Sequence, residues 1–233
     1  MTISLQGRAV VVTGGFGVLG SALTRLLLER GAQVAALDLG DVPATLSATS
    51  EFLPLGKVDL TDIVSAETAM GRVAGTFGHI DAIVNVAGGF AWETFESGSL
   101  DTWDRLYQMN VRTAVVSTKA ALPHILRAGS GRVVNVSALA ANKAGLGVSA
   151  YAASKAGVSR FTESLAEELK QRSVTVNAVM PSIIDTPSNR ADMPDEDHTA
   201  WVTPDALSAV IGFLLSPEGQ VITGACLPVS GRV

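Results

Sequence analysis

Tyr151 and Lys155 stand four residues apart in the segment 149–157. On a helix, this spacing puts the phenol and the ammonium group on one face. We expect the positive charge to lower the pKa of the phenol from its ordinary value of about 10 and to prepare it for proton transfer. The pair alone has a plainer interpretation, because Tyr and Lys at this spacing also form solvated pairs on helix surfaces. A ligand-binding motif in the same fold would favour catalysis.

A glycine-rich turn near the N-terminus supplies such a motif. The apolar run 9–12 leads into Thr-Gly-Gly-Phe-Gly-Val-Leu-Gly at 13–20, and a helical pattern follows at 22–28. A strand, a glycine turn and a helix N-terminus in this order form an anion site, since free backbone N–H groups and the helix dipole face a pyrophosphate. The alternative is a turn that only connects two elements. The predicted dinucleotide contacts here are Gly14, Phe16, Gly17, Val18 and Leu19.

Asp38 predicts which dinucleotide this turn would bind. Gly31 is a candidate C-cap for the helix, and residues 33–38 have the pattern of a second strand that ends in Asp38, 18 residues after Gly20. A carboxylate there can accept both ribose hydroxyls of an adenosine and would repel a 2′-phosphate. We therefore expect NAD rather than NADP. The alternative is an acid that caps a loop.

Composition excludes several other classes. The chain has 233 residues, 47% of them hydrophobic, a mean hydropathy of +0.34 and a net charge of -5, so it offers no basic surface for nucleic acid. Its single cysteine, Cys226, fits a reducing compartment. No apolar run approaches 18 residues, and no signal-peptide pattern opens the chain. We expect a cytoplasmic protein that binds no membrane.

Strand and helix patterns alternate along nearly the whole chain. This predicts an α/β fold with a single domain, residues 1–233: a Rossmann-like, doubly wound parallel sheet of about seven strands with helices on both faces. The segment 181–203 is rich in Pro, Asp, Asn and Ser and is a candidate substrate lid, with a disordered loop as the alternative. Strands are predicted near 8–13, 33–38, 53–58, 80–86, 131–137, 173–179 and 221–228, and helices near 18–30, 62–77, 101–127, 149–171 and 204–215.

Six motifs in this order resemble those of the short-chain dehydrogenase/reductases over essentially the full length. They are Thr13-Gly14 with its glycines, Asp59-Leu60, Asn85-Val86-Ala87-Gly88, Asn110, the Tyr151/Lys155 pair, and Pro181 through Thr186. The resemblance implies that Tyr151, Lys155 and Asn110 are catalytic, with Asn110 seating a water that links Lys155 to solvent. It also implies coenzyme contacts at Asp59, Leu60, Asn85, Ala87, Gly88, Tyr151, Lys155, Pro181, Ile184 and Thr186. Taken singly, Asn85 could only hold a turn and Asp59 could only cap a helix.

Two positions depart from the common family pattern. Val18 stands where the second glycine is usual, and this chain has Gly17 instead; Ala138 stands 13 residues before Tyr151, where the family has its catalytic serine. Ser137 is adjacent, but neighbouring side chains on a strand point to opposite faces. Both departures, together with the lid sequence, resemble the quinonoid dihydropteridine reductase branch, whereas Asn110 is a mainstream feature.

The resemblance implies hydride transfer between nicotinamide and a small carbonyl or conjugated, quinonoid acceptor, with Tyr151 as acid or base. Without the serine, an electron-poor acceptor should be preferred to a simple ketone. Phe90 and Trp92 lie near enough in sequence to stack on a flat substrate, or they pack under the lid. The alternatives are a 3-oxoacyl-type ketone reductase and a non-catalytic NAD-binding sensor. We predict no metal and expect a homo-oligomer, a dimer or tetramer, because the helices near 101–127 and 149–171 carry many small residues, which internal packing would also need.

Overall fold

The computed structural model describes residues 3–233, so residues 1 and 2 of the predicted single domain lie outside the described residues. Its centre is one seven-stranded sheet in the order β3-β2-β1-β4-β5-β6-β7, with every pairing parallel. This confirms the predicted doubly wound fold. The strands are β1 (Ala9–Thr13), β2 (Gln33–Leu37), β3 (Phe52–Leu55), β4 (Ala82–Asn85), β5 (Gly131–Val136), β6 (Val174–Pro181) and β7 (Cys226–Val229).

Helices cover both faces of the sheet, which explains why the central strands are apolar on both sides rather than alternating. One core contains the inner sides of α2, α4 and α5, and the opposite core contains those of α1 and α7. The helices are α1 (Val18–Glu29), α2 (Ile63–Phe77), α3 (Leu100–Tyr107), α4 (Thr113–Arg127), α5 (Ser149–Leu169), α6 (Pro187–Asp192) and α7 (Pro204–Leu215).

The strand order reverses at β1. Its two neighbours are β2 on one side and β4 on the other, so the connections that leave β1 and β4 depart in opposite directions. A crevice opens at the carboxyl ends of the strands at such a reversal, and this is where open α/β sheets bind ligands. The glycine turn after β1 and the segment after β4 both lie at this edge.

Three predicted elements differ in the structure. The helix predicted at 101–127 is divided by a π-helical turn at Gln108–Arg112, whose wider winding sends the Asn110 side chain into the interior. The strand predicted at 221–228 begins only at Cys226, because a 3₁₀ turn ends at Val221 and Gly224 takes a positive φ of 75°. The third strand is Phe52–Leu55 instead of 53–58.

The segment 181–203 is structured. It contains α6 and a 3₁₀ turn at His198–Ala200, and a β-bridge joins Ile184 to Val202. Trp201, which belongs to this segment, is buried. The segment 181–203 therefore has regular structure next to the end of β6 and is not a disordered loop.

Candidate active site

Two adjoining cavities fill the crevice at the carboxyl edge of the sheet. Their volumes are about 880 Å³ and about 610 Å³, and residues of the glycine turn, the segment after β4 and the start of α6 line both of them, so they form one continuous cleft. The predicted coenzyme residues that line the larger cavity are Gly14, Gly17, Val18, Leu19, Asp38, Asp59, Leu60, Ala87, Gly88 and Thr186. The smaller cavity is lined by Tyr151, Lys155, Pro181 and Ile184, again with Leu19, Gly88 and Thr186.

The glycine turn is shaped for a close-lying anion. Gly14 has a φ of 62°, and a Cβ there would lie only 2.9 Å from the backbone of Ala87, so a larger residue would push β1 and β4 apart. α1 begins at Val18, and its N-cap Gly17 has no side chain to satisfy the first amide groups. Those free N–H groups and the absence of an acid in the first turn of α1 suit a pyrophosphate.

Asp38 lies half-buried at one end of the larger cavity. Its Oδ2 accepts the N–H of Phe16 at 3.1 Å, and its Oδ1 accepts the N–H of Gly40 at 3.1 Å. The carboxylate is thereby fixed beside the glycine turn, so it both caps a loop and faces the cleft. Phe16 contributes its amide to Asp38 and does not line the larger cavity.

Asp59 lines the same cavity and also closes a local turn. It accepts hydrogen bonds from the hydroxyl of Thr61 at 2.7 Å and from its N–H at 2.8 Å, and these bonds lower the pKa of the Asp59 carboxyl below its ordinary value. The cap of α2 is made by Asp62, which accepts the N–H groups of Val64 and Ser65. Asp59 therefore does not cap this helix.

Asn85 is buried behind the cleft and does not line either cavity. Its Nδ2 donates to Thr118 and to Asn135, each at 2.8 Å, and its Oδ1 accepts the hydroxyl of Ser117 at 2.7 Å. These bonds tie β4 to β5 and α4. Asn85 thus holds the sheet edge on which Ala87 and Gly88 are mounted, and a fully satisfied buried network of this kind is rigid.

Asn110 connects the π-helical turn to two parts of the site. Its Oδ1 accepts the N–H of Gly89 at 2.9 Å, and its Nδ2 donates to the carbonyl of Gly89 and to Ser154 Oγ. Ser154 in turn donates to the carbonyl of Tyr151 at 2.7 Å. Both amide hydrogens of Asn110 are used within the chain, and the bound water that the resemblance implies stays a prediction.

Tyr151 and Lys155 share the wall of the smaller cavity, one turn apart on α5. Lys155 is buried, with its Nζ donating to the carbonyl of Val136 at 2.9 Å and lying 5.9 Å from the centre of the Tyr151 ring. The pair is therefore not a solvated surface pair. The ring of Phe90 meets that of Tyr151 edge to face, with centroids 4.9 Å apart.

The expected lowering of the Tyr151 pKa by Lys155 is wrong for this coenzyme-free chain. Burial raises the pKa of Tyr151 to about 12 and lowers the pKa of Lys155 to about 8. Both shifts have one cause, since removing water disfavours the charged form of each group. At about 6 Å from the ring and bonded to Val136, the ammonium group does not offset this effect.

Ala138 forms part of the smaller cavity wall and brings a methyl group where a hydroxyl would be a second donor. Ser137 does not replace it. Its hydroxyl donates to the carbonyl of Lys155 at 2.9 Å and lies 2.9 Å from Ser159 Oγ, so it fastens the end of β5 to α5. The alternation of side chains along the strand predicts this division of roles.

Some residues in or beside the cleft have contacts that sequence reasoning does not indicate. Thr13 accepts the N–H of Ala87 at 3.1 Å and donates to Val84, which joins the two halves of the edge. Thr113 lies one helical turn beyond Asn110 on the larger cavity, so helical spacing from Asn110 would have found it. Ile183 and Met193 come from the lid, whose path no periodic pattern indicates.

Two further features of residues 3–233 bear on the class of protein. In this part of the chain, no three His, Cys, Asp or Glu side chains come together in an arrangement that could hold a metal ion. Nor does it contain a helix with the length and apolar character needed to cross a membrane.

The parallel sheet, its reversal point and the glycine turn define a nucleotide-binding α/β protein. Residues 8–197 match the family model described as short chain dehydrogenase. The chain is 33% identical over 242 residues to the 3-oxoacyl-[acyl-carrier-protein] reductase FabG of Vibrio harveyi, with 98% of each chain covered. The chain belongs to the short-chain dehydrogenase family.

Other relatives agree with this assignment. The 2,5-dichloro-2,5-cyclohexadiene-1,4-diol dehydrogenase LinX of Sphingobium indicum is 30% identical over 244 residues, covering 99% of this chain and 98% of its own. A crystal structure from Brucella melitensis, named as a short-chain dehydrogenase/reductase and glucose/ribitol dehydrogenase, is similar with a TM-score of 0.89 and 27% identity over 99% of this chain and 98% of its own. These names are those of dehydrogenases and reductases, so the family is one of oxidoreductases.

Proposed function

We propose that this protein is an NAD(H)-dependent reductase that transfers hydride from the nicotinamide to an electron-poor carbonyl or conjugated, quinonoid acceptor. The observation that carries the proposal is the shared wall of the smaller cavity, where Tyr151 and Lys155 face the cleft together with Ala138. This wall offers a proton donor and a cation next to the dinucleotide crevice, and it carries the methyl group of Ala138 at the position where the resemblance implies a serine.

Asp38 supports NADH as the coenzyme. Its carboxylate is held by the N–H groups of Phe16 and Gly40 at the end of the larger cavity, so it cannot easily turn away from an adenosine ribose. A 2′-phosphate at that position would meet a fixed negative charge. The glycine turn and the free amides at the start of α1 would hold the pyrophosphate.

The side chains of the smaller cavity have distinct roles in this proposal. A bound dinucleotide supplies the hydride. Tyr151 keeps its proton at neutral pH, because its pKa is about 12, and it would donate this proton to the reduced oxygen or nitrogen. Lys155 carries its charge below about pH 8 and would stabilise the phenolate left on Tyr151.

The missing donor at Ala138 favours activated acceptors. A second donor to a developing oxyanion is typically worth about 10²–10³ in rate. A quinone or an α-dicarbonyl needs this help less than a simple ketone, because its conjugation already stabilises the added electrons. We therefore propose quinonoid and dicarbonyl compounds as the preferred substrates.

Two other functions remain as alternatives. A 3-oxoacyl-type ketone reductase is favoured by the 33% identity to the Vibrio harveyi reductase. A non-catalytic NAD sensor would need the dinucleotide cleft but neither Tyr151 nor Lys155. We further propose a homo-oligomer that acts in the cytoplasm on a small-molecule substrate, as the sequence predicts.

A substrate panel with matched coenzymes tests the proposal. Quinones, a quinonoid pterin, α-dicarbonyls, 3-oxoacyl esters and simple ketones are assayed with NADH and with NADPH. We expect NADH-dependent reduction of the quinones and dicarbonyls, and we expect Tyr151→Phe to abolish it while NADH still binds. A preference for 3-oxoacyl esters would support the ketone reductase, and NADH binding with no turnover of any acceptor would support the sensor.

A further inference from the structure

Phe90 is an exposed aromatic residue beside the phenol of the site. It is 57% exposed, yet its ring lies edge to face with Tyr151 at 4.9 Å and an interplanar angle of 79°, and it lines the smaller cavity. Packing within the chain therefore uses only part of this ring. The remaining apolar surface is next to the ring of Tyr151.

Trp92 has a similar exposure of 59% but a different position. Its Nε1 donates to the carbonyl of Leu146 at 3.1 Å, and it does not line the smaller cavity. A Cβ on Gly147 would collide with its ring, so the indole packs directly on that glycine. Trp92 thus supports the loop before α5, and of these two residues Phe90 is the one that lines the cleft.

Most of the remaining lining of the smaller cavity is apolar. Leu139 contributes from the 3₁₀ turn after β5, and Ile183, Ile184 and Met193 contribute from the segment 181–203. Its polar members are Ser137, Ser182, Thr186, Ser188 and Asn189. Among the described residues around this cavity, Lys155 is the only one with a charged side chain, and its Nζ already donates to Val136. Because most of this lining is apolar and Phe90 is exposed, a flat neutral ring could bury apolar area there.

We propose that Phe90 is the specificity-determining residue of this site, and that its exposed ring surface stacks on a neutral, planar, conjugated acceptor next to Tyr151. This inference rests on the proposed function and narrows its substrate class from electron-poor acceptors in general to flat ring systems. Stacking and burial of apolar area on the ring should make the affinity for planar acceptors depend on Phe90. An acyclic acceptor with the same reacting group should depend on it much less.

Two vicinal dicarbonyls that differ in shape provide the test. Phenanthrene-9,10-quinone is planar and aromatic, and 2,3-butanedione is acyclic. Phe90→Leu should raise the KM for the quinone about tenfold and change that for the diketone about twofold or less. The control is Phe95→Leu, because Phe95 is also exposed, at 78%, but contacts Trp103 away from the cleft. This variant should match the wild type with both substrates.

Binding of the quinone without turnover, measured by calorimetry on wild type and both Leu variants, keeps this test separate from that of the proposed function. Roughly tenfold weaker quinone binding by Phe90→Leu, but not by Phe95→Leu, supports the inference even if no acceptor is reduced. In that case only the proposed function fails. Equal effects of Phe90→Leu on quinone and diketone, or equal quinone binding by all three proteins, would overturn the role of Phe90 and leave NADH-dependent reduction intact. Unchanged NADH affinity in Phe90→Leu verifies that the variant is folded.

Discussion

Replacing Lys155 with methionine should stabilise the coenzyme-free protein while removing its activity. Methionine keeps the unbranched shape of the side chain but removes the buried charge. Burial lowers the pKa of Lys155 from 10.5 to about 8, and at 1.36 kcal/mol per pKa unit this corresponds to about 3 kcal/mol of destabilisation of the folded state at pH 7. Loss of the hydrogen bond to Val136 would offset about 1 kcal/mol of the gain.

The pH dependence has a defined sign. Because the pKa is lower in the folded chain, the destabilisation is complete below about pH 8 and disappears as the pH rises towards 10.5, where the unfolded chain also loses the proton. Between pH 7 and pH 9.5, the free energy of unfolding of the wild type should therefore rise by about 2 kcal/mol relative to that of Lys155→Met. Groups that titrate alike in both proteins cancel in this difference.

Urea unfolding of both proteins at the same concentration, without coenzyme, measures the effect at the two pH values. At pH 7, Lys155→Met should be more stable by about 1–2 kcal/mol, and its advantage should shrink or reverse at pH 9.5. A constant difference between the two proteins at both pH values would refute the argument that Lys155 is held as a buried charge.

Two substitutions test the remaining chemistry. Ala138→Ser should raise kcat/KM for a simple ketone by about 10²-fold, since the new hydroxyl supplies the missing donor. The gain in kcat/KM for an activated dicarbonyl should be much smaller. An equal gain for both substrates would contradict the idea that Ala138 selects activated acceptors. Asp38→Ala should remove the fixed negative charge at the ribose end of the cleft. The ratio of kcat/KM with NADH to kcat/KM with NADPH should therefore fall at least tenfold. A wild type that prefers NADPH would contradict the role given to Asp38.

The sequence predicts those parts of the site that depend on local periodicity. The glycine turn after an apolar run predicts both β1 and the start of α1, and the acid at Asp38 follows from the end of β2. The i, i+4 spacing puts Tyr151 and Lys155 together because α5 is regular there. These features need only the geometry of a single element.

What escapes prediction depends on contacts between elements. The π-helical turn around Asn110 directs its amide to Gly89 and Ser154, which are far away in sequence. The sign of the pKa shift of Tyr151 is set by its burial in the folded chain, and spacing on one helix contains no information about solvent. The separate roles of Phe90 and Trp92 likewise depend on where the loop at Leu146 lies.

The raised pKa of Tyr151 and the lowered pKa of Lys155 predict how pH should affect the two directions of the proposed reaction. With a pKa of about 12, Tyr151 is almost entirely in its acid form at neutral pH, so a reduction finds the proton donor ready. Oxidation of an alcohol would instead need the phenolate, which is disfavoured by about five pKa units at pH 7 unless positive charge gathers beside it. Lys155 would supply that charge below about pH 8, where its ammonium group keeps its proton while it donates to the carbonyl of Val136. If Tyr151 is the acid/base group as proposed, reduction needs no prior deprotonation of the phenol, whereas the rate of oxidation should be low at neutral pH and rise with pH.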